Sequence, residues 1–281
     1  MKPFFSIVTV SLNSGDKLLE TQKSVEEQIQ SLQGIIPSDF SDFEVIIKDG
    51  GSKDDSLEKL QEYLKLHEDF ASRVRIIEEK DKSIYEGMNQ AIAHTEGEYL
   101  IFMNCGDAFY EEDTLAKGLK EIKEQKEKTI YYGNLYDALR NQVVSQNPNM
   151  DAFGCYRNVP CHQSCFYHRS LFEERGYEPK YKVRADYEHF LWCFFVKKIS
   201  PKFMPVVIAS YEGGGFSETG KNKQRSKEEH KEITGKYMSK VELIKFKLIL
   251  LLTLAPLRTK MAESKRFSGL YNKLRKSLYK G

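Results

Sequence analysis

No stretch of this 281-residue chain stays apolar for the roughly 20 residues that a membrane-spanning helix requires. A polytopic membrane protein is therefore not expected. The opening MKPFFSIVTV has one basic residue and then an alternating strand pattern, without the small-residue cleavage site of a secretory signal. There are five cysteines, an odd number at uneven spacings, which is not a disulfide framework and suggests a reduced, cytosolic compartment. Their densest cluster, Cys155, Cys161 and Cys165 around His162, lacks the paired C-x-x-C knuckles of a zinc site. Two phosphate cradles are also missing: no G-x-G-x-x-G follows the first strand, and there is no G-x-x-x-x-G-K-[ST]. Classical dinucleotide enzymes and P-loop nucleotidases are excluded on that ground. There is no internal repeat and no low-complexity linker. With 40% hydrophobic and 30% charged residues, the chain has the composition of a folded globular protein rather than a disordered one.

What is present alternates. FFSIVTVSL, FEVIIKDGG, RVRIIEE and EYLIFMN read as four short, β-branched or apolar strands. Amphipathic segments lie between them. Leu18, Gln22, Val25, Ile29 and Leu32 share one helical face, and Ile84, Met88, Ala91 and Ile92 share another. Leu57, Leu60, Leu64 and His67 mark a third, in a helix expected to open at Ser52 with Asp55 as an approximate capping box. This alternation predicts an α/β fold with parallel strands and crossover helices. Beyond Glu111 the order loosens. TIYYGNLYD with QVVSQ reads as a hairpin, HQSCFYHRSLF as a strand running into a short helix, RADYEHFLWCFFVKK as an apolar helix, and KFMPVVIASYEGGGFS as a strand and glycine loop.

Ligands of such sheets bind beyond the carboxyl ends of the strands. NSGD, EEKDKS, DGGS and NCGD all fall there. Asp107 follows a buried-looking strand, in a turn lined by small residues. It is either a cap for the EEDTLAKGL helix or a ligand for whatever binds at the strand end. With both cradles missing, a nucleotide held by strand-end carboxylates and a metal is the remaining nucleotide chemistry. Mg²⁺ or Mn²⁺ suits such oxygen ligands and shares them with phosphate.

SIVTVSLN, VIIKDGGSKDDS, DKSIYEGMNQAI, GEYLIFMNCGD, HQSCFYHRSLF, ADYEHFLW and YEGGGFS occur in that order. Together they resemble the family 2 glycosyltransferases of the GT-A fold, of the bacterial polysaccharide-assembly kind, over about residues 4–217. The resemblance implies a Rossmann-type, mostly parallel sheet flanked by helices, and transfer of a sugar from a nucleoside-diphosphate donor with inversion. Asp107 lies where the metal-binding Asp-x-Asp of the family ends, with Cys105 replacing the first acid, Gly106 leaving room for the diphosphate, and Mn²⁺ or Mg²⁺ as the implied cofactor. Asp49 resembles the residue that accepts a hydrogen bond from the base, with a lean to uracil, and Gly50 and Gly51 permit its turn; an ordinary Asp-Gly turn is the plain alternative. Thr9 and Asn13 resemble nucleoside-lining residues, and Asp81 an acid facing the donor. Tyr85 and Asn89, an i, i+4 pair, are sugar contacts or surface polarity. Asn104 would orient ribose or a phosphate oxygen. His162, Gln163 and Tyr187 fall on the acceptor side, although a structural histidine is an equal reading. Asp186, opening an apolar helix, is the candidate base, with Glu188 as its substitute and an N-terminal cap as its plain reading. The GGGFS loop would cover the donor.

These readings give a glycosyltransferase domain over 1–235, split at 110/111 into donor and acceptor halves, and a basic helical tail over 236–281. The tail holds twelve Lys or Arg and two Glu, a net +10 in a chain of +2, so the body carries −8. The run Leu248–Ala255 is too short to span a bilayer, so an interfacial helix on the inner face of the cell membrane is expected, with a helix packed on the domain as the alternative. Tyr271, Leu274 and Leu278 would add a second amphipathic stretch. The partners expected are a nucleotide-sugar, a glycan or polyprenyl-diphosphate-linked acceptor and an anionic membrane surface, and not nucleic acid. Two other functions fit the same pattern: a sugar nucleotidyltransferase, which would release pyrophosphate, and a non-catalytic membrane-associated scaffold.

Overall fold

The computed structural model describes residues 1–213 and 219–253. The expected GGGFS loop beyond Gly213, the end of the apolar run from Leu254, and Tyr271, Leu274 and Leu278 lie outside them. The chain divides into two compact units, Met1–His230 and a second that starts at Lys231.

In the first unit, β1 (Lys2–Ser11), β2 (Phe40–Asp49), β3 (Val74–Glu78) and β4 (Tyr99–Phe102) are all parallel, in the order β3-β2-β1-β4. The central β1 is buried almost end to end, as a parallel strand covered on both faces must be. Between the strands run α1 (Asp16–Glu26) with α2 (Gln28–Leu32), α3 (Ser56–Leu66) with α4 (Glu68–Ala71), and α5 (Ile84–Ile92). Leu18, Gln22, Val25, Ile29 and Leu32 are all buried, as their spacing requires, although Glu27 separates two helices there.

The second half of the sheet is mixed. A two-residue β5 (Ala108–Phe109), α6 (Thr114–Gln125), β6 (Ile130–Asp137) and β7 (Gln142–Val144) come first. Then follow α7 (Ala152–Arg157), β8 (Cys165–His168), α8 (Ser170–Glu173), α9 (Ala185–Phe195) and β9 (Lys202–Tyr211). β8 pairs antiparallel with both β4 and β6, β6 pairs parallel with β9, and β7 forms the expected hairpin with β6. Among the described residues this makes one nine-stranded sheet. α10 (Gly220–Tyr237) continues past the end of the first unit.

One helix boundary differs from expectation. α3 starts at Ser56 with Asp55 at its N-cap and no side-chain cap, four residues after Ser52. Ser52 is taken instead by Asp49, which accepts from its amide at 2.7 Å and its hydroxyl at 2.5 Å. The Ser52 hydroxyl oxygen accepts the Asn13 amide at 2.8 Å and so is engaged by the loop after β1 rather than by a helix start.

The end of the sheet opposite the strand-end loops is a closed polar knot. Ser6 Oγ donates to Glu44 Oε1 at 2.6 Å, and the Gly97 amide donates to Ser6 Oγ at 2.8 Å. Glu44 also receives Arg75 at 2.6 Å. A Cβ on Gly97 would lie 2.5 Å from the Ser6 backbone nitrogen and 2.7 Å from the Phe5 carbonyl carbon, so only glycine fits without backbone movement. Gly97→Ala is expected to cost about 1–3 kcal/mol by overpacking, read as a lower urea midpoint with an unchanged m-value. An unchanged midpoint would show that the backbone yields freely there.

Candidate active site

The loops after β1 and β2 are cross-braced before anything binds. Asn13, held at φ 50, donates its amide to Ser52 Oγ at 2.8 Å and accepts the Lys53 amide at 2.8 Å. The Gly15 amide reaches Asp54 at 2.9 Å, and the Gly50 amide reaches the Ser11 carbonyl at 2.8 Å. Asp49 is fully buried, and one of its oxygens accepts the amides of Gly51 and Ser52 at 2.8 and 2.7 Å. Gly51 sits at φ 95, a conformation glycine adopts without cost. Asp49 therefore shapes the loop from inside.

Beneath it lies a residue that the motif reading passed over. Lys48 is completely buried and forms an ion pair with Asp81. A Cβ on Gly50 would lie 2.8 Å from Asp81 Oδ2, and one on Gly87 3.1 Å from it. Two glycines thus make room for one carboxylate, and a buried cation fixes its direction. The only sequence signal was a lysine inside an otherwise apolar strand.

At the end of β4, Asp107 is 4% exposed. Asp113, not Asp107, occupies the N-cap of α6, so Asp107 is not that helix's cap. Its Oδ2 accepts the Gln163 side-chain amide at 2.8 Å, and its Oδ1 accepts the Glu212 backbone amide at 3.1 Å. Burial pushes its carboxyl above the ordinary range, and these two bonds only partly oppose the shift. Thr21 ties the turn to α1: its hydroxyl donates to the Asp107 carbonyl at 2.7 Å and accepts the Gly106 amide at 2.9 Å. Glu212, at the exit of β9, pairs with Lys17 at 2.6 Å, and its carboxylate lies where a Cβ on Gly106 would go.

A second chain of bonds runs through the acceptor-side residues. His162 Nδ1 lies 3.1 Å from Asp186 Oδ2, and its Nε2 lies 2.9 Å from Asn104 Nδ2. A ring with its proton on Nδ1 donates to Asp186 and accepts from Asn104, so the network assigns that tautomer. Tyr85 donates to the other Asp186 oxygen at 2.8 Å. Burial pushes the Asp186 carboxyl up, but the His162 bond, Tyr85 and a backbone amide outweigh it and hold the group below the ordinary carboxylate range. Burial and the neighbouring Asp186 push the Tyr85 hydroxyl well above its usual range, so it remains a donor.

His162 and Gln163 are neighbours in one 3₁₀ turn, yet one reaches Asp186 and the other Asp107. The structure also brings Asp49, Gly50, Gly51 and Asn13 together, with Asp81 beside Gly50. Three expected site residues are bonded to the scaffold. Thr9 is buried and accepts Gln22 Nε2 at 3.0 Å. Asn89 exchanges two 2.8 Å bonds with the Tyr177 backbone. Tyr187 donates to the Cys155 carbonyl at 2.7 Å. Glu188, the substitute base, is fully buried against Arg175 at 2.9 Å.

The five cysteines are free thiols. Cys105, in the first acid's place, has its thiol pushed up to about 11 by burial. Among the described residues no three His, Cys, Asp or Glu side chains are grouped to hold a metal. Asp107, with Glu212 beside it, fits only a hard cation that brings most of its oxygen ligands with it, as phosphate-bound Mg²⁺ does.

The model described as "Glycosyl transferase family 2" matches residues 6–190. A PGL/p-HBAD biosynthesis glycosyltransferase of Mycobacterium bovis is 32% identical over 219 residues, 77% of this chain and 80% of the relative. An uncharacterized glycosyltransferase of Mycobacterium tuberculosis is 30% identical over 76% of each chain. Among solved structures, S. aureus TarS residues 1–349 in complex with UDP-GlcNAc superposes with a TM-score of 0.61 at 15% identity, covering 86% of this chain and 69% of that one. Against a longer TarS structure the matched part is 37% of the TarS chain, with a TM-score of 0.59. The Pyrobaculum calidifontis mannosyltransferase PcManGT, solved with GDP-Man and Mn²⁺, gives a TM-score of 0.62 at 17% identity, covering 100% and 82%. These structural likenesses share the GT-A fold.

Asp81→Asn leaves Lys48 buried without its counter-charge. It is expected to destabilise the protein by about 3–5 kcal/mol, the usual cost of breaking a buried pair from one side. Chemical denaturation reads this directly. A loss within about 0.5 kcal/mol, the range of ordinary surface changes, would show that Lys48 finds water or another partner.

Proposed function

The chain belongs to glycosyl transferase family 2, and from that premise we propose that it transfers a sugar from a UDP-sugar to a hydroxyl of a glycan or lipid-linked acceptor, with inversion at the anomeric carbon. The observation that carries this reading is the His162–Gln163 turn, which ties a strand-end acid, Asp107, to a helix-start acid, Asp186. Single displacement needs a proton acceptor for the incoming hydroxyl and an offset for the charge on the leaving group, and the two acids suit these different roles. The attacking acceptor oxygen must lose a proton, and Asp186 is ionised and oriented to receive it. As the acceptor oxygen bonds to the anomeric carbon, the bond to the donor's diphosphate breaks and the nucleoside diphosphate leaves.

His162 and Tyr85 fix both oxygens of Asp186, so the proton's destination is set before the acceptor arrives. The braced loops of Asn13, Gly50 and Gly51, shaped by Asp49, would line the base and ribose, with Asp81 facing the donor and Asn104 at the diphosphate or ribose. Thr9 and Asn89 support that wall from behind. Gln163 and Tyr187 border the acceptor side. Asp107 would hold Mn²⁺ or Mg²⁺, which offsets the charge growing on the leaving diphosphate. The UDP and UDP-GlcNAc complexes of TarS support a uridine donor, and the role of the M. bovis relative in PGL/p-HBAD biosynthesis supports a surface-glycan acceptor.

Nucleoside diphosphate release from a panel of UDP-sugars, with Mn²⁺ or Mg²⁺, tests the reading. Asp186→Asn should lower kcat by about 10²–10⁴, the span of general-base contributions, while UDP affinity by calorimetry stays at the wild-type value. Asp107→Asn and EDTA should each abolish release. Because the Asp186 carboxyl lies below the ordinary carboxylate range, the base stays ionised as pH falls from neutral, so the first acid loss of wild-type kcat should belong to Asp107, whose carboxyl burial pushes up. Full turnover in Asp186→Asn, or in EDTA, would remove the corresponding role.

The second unit supports a location for this chemistry on an anionic membrane. α11 (Lys240–Leu252) opens on a capping box, with the Ser239 hydroxyl accepting the Glu242 amide at 3.2 Å and the Ser239 amide donating to Glu242 at 2.8 Å. Val241, Ile244, Leu248, Leu251 and Leu252 are all more than half exposed, at the 3-and-4 spacing of one helical stripe. Lys240, Lys245 and Lys247 share the helix with them. No helix of the described residues is long and apolar enough to cross a membrane. Lysines near an anionic leaflet contribute about 1 kcal/mol each, and the apolar stripe adds to this. The Ile244→Asp/Leu248→Asp double variant should lose co-sedimentation with phosphatidylglycerol vesicles and keep UDP-sugar turnover. Wild-type protein that ignores those vesicles would end the membrane assignment.

A further inference from the structure

α9 begins without a cap of its own. Arg184 occupies the N-cap position, and its side chain offers no oxygen to the first amides of the helix. An acceptor from α10 instead holds the segment that leads into the helix. Glu229 is 8% exposed, and its carboxylate accepts the amides of Lys182 at 2.8 Å, Val183 at 3.0 Å and Arg184 at 2.9 Å. Bonds from amides to an ionised acceptor are strong ones, and a negative charge is favoured at a helix N-terminus. One turn earlier on α10, Ser226 receives Arg184 Nε through its carbonyl at 3.0 Å and its hydroxyl at 2.7 Å. Residues 182–184 are therefore clamped to α10 immediately before Asp186.

The clamp reaches the candidate base through one hydrogen atom. Tyr85 has a single hydroxyl proton, and two acceptors lie within reach of it: the Val183 carbonyl at 2.9 Å and Asp186 Oδ1 at 2.8 Å. The Val183 carbonyl shares its peptide unit with the Arg184 amide, which Glu229 holds on the other side. The position of that peptide fixes how Tyr85 divides its proton between the two acceptors, and so how firmly one oxygen of Asp186 is held.

We propose that Glu229 is a positioning residue for the transfer reaction: it sets the geometry of Asp186 through the Val183 peptide and Tyr85. The inference rests on the assignment of Asp186 as base. Glu229 touches neither acceptor nor donor in this account, so its effect should appear in turnover and not in donor binding.

The experiment is a double-mutant cycle on the full-length protein, with release of UDP from UDP-sugar as the turnover readout and UDP calorimetry as the binding readout. Glu229→Gln keeps the volume but replaces one acceptor oxygen with an amide that repels the backbone N–H groups. Its kcat should fall about tenfold or more, as small misplacements of reacting groups do, with KM and UDP Kd unchanged. In the Asp186→Asn background the same change should cost nothing further, because the group being positioned is already gone. Ser226→Ala loosens only Arg184 and probes the clamp without removing the Glu229 acceptor; it should show a smaller fall of the same kind. Wild-type kcat in both Glu229→Gln and Ser226→Ala, beside an inactive Asp186→Asn, overturns this inference alone. An equal fractional loss in the Asp186→Asn background, or UDP affinity falling in step with kcat, overturns it as well, since either marks a general loss of structure. Wild-type turnover in Asp186→Asn removes the base assignment and this inference with it.

Discussion

Asp107 is a carboxylate almost out of contact with water at the end of a buried strand, and a group of that kind must be met by donors from the protein. The donors come from two places, a side chain in the 3₁₀ turn before β8 and a backbone amide where β9 ends, while the Thr21 hydroxyl of α1 holds the backbone carbonyl of the same residue. The three partners lie in three different parts of the first unit. Satisfying this one acid therefore fixes where the mixed half of the sheet lies against the parallel half. The loop after β4 is the hinge point of the first unit as much as it is part of the site.

The two acids joined by the His162–Gln163 turn are pushed in opposite directions. Asp107 is deeply buried with two donors, and burial prevails. Asp186 is only partly buried and has a histidine, a tyrosine and a helix-start amide around it, and the donors prevail. One carboxyl pushed up by burial, beside another held down by its donors, shows two aspartates of one site set in opposite directions by their surroundings. Environment alone produces the difference, since both residues are aspartates.

The parallel half of the fold was legible because its signals are local and repeated. Buried strands alternate with helices whose apolar residues keep a 3.6-residue period, and every strand-end loop carries small residues and acids. The second half was legible as elements, but not in its pairing: β5 has two residues, and the parallel union of β6 with β9 depends on a crossover that no short window reveals. In the site, Asp107, Asp186, His162 and Gln163 stood out as residue types at strand and helix ends. Their pairing did not, because Gln163 and Asp107 are 56 positions apart. Lys48 and Glu229 were missed for a related reason. A lysine in an apolar strand and a glutamate in a charged helix look ordinary until their partners, 33 and about 45 residues away, are known. The inward bonds of Thr9, Asn89 and Tyr187 to the scaffold were equally hidden, because their partners lie elsewhere in the chain.

The turn that carries His162 and Gln163 has a consequence for how such a protein can diverge. Successive Cα atoms are about 3.8 Å apart, and no rearrangement of a trans peptide alters that spacing. Adjacent residues that grip two different acids therefore act as a gauge block, and the gap between the acids is set by one peptide and the reach of two side chains. Loops on either side can lengthen to suit new substrates, whereas a single residue inserted between these two would leave one acid unmet. Drift is free to act on the walls of this site but not on its ruler.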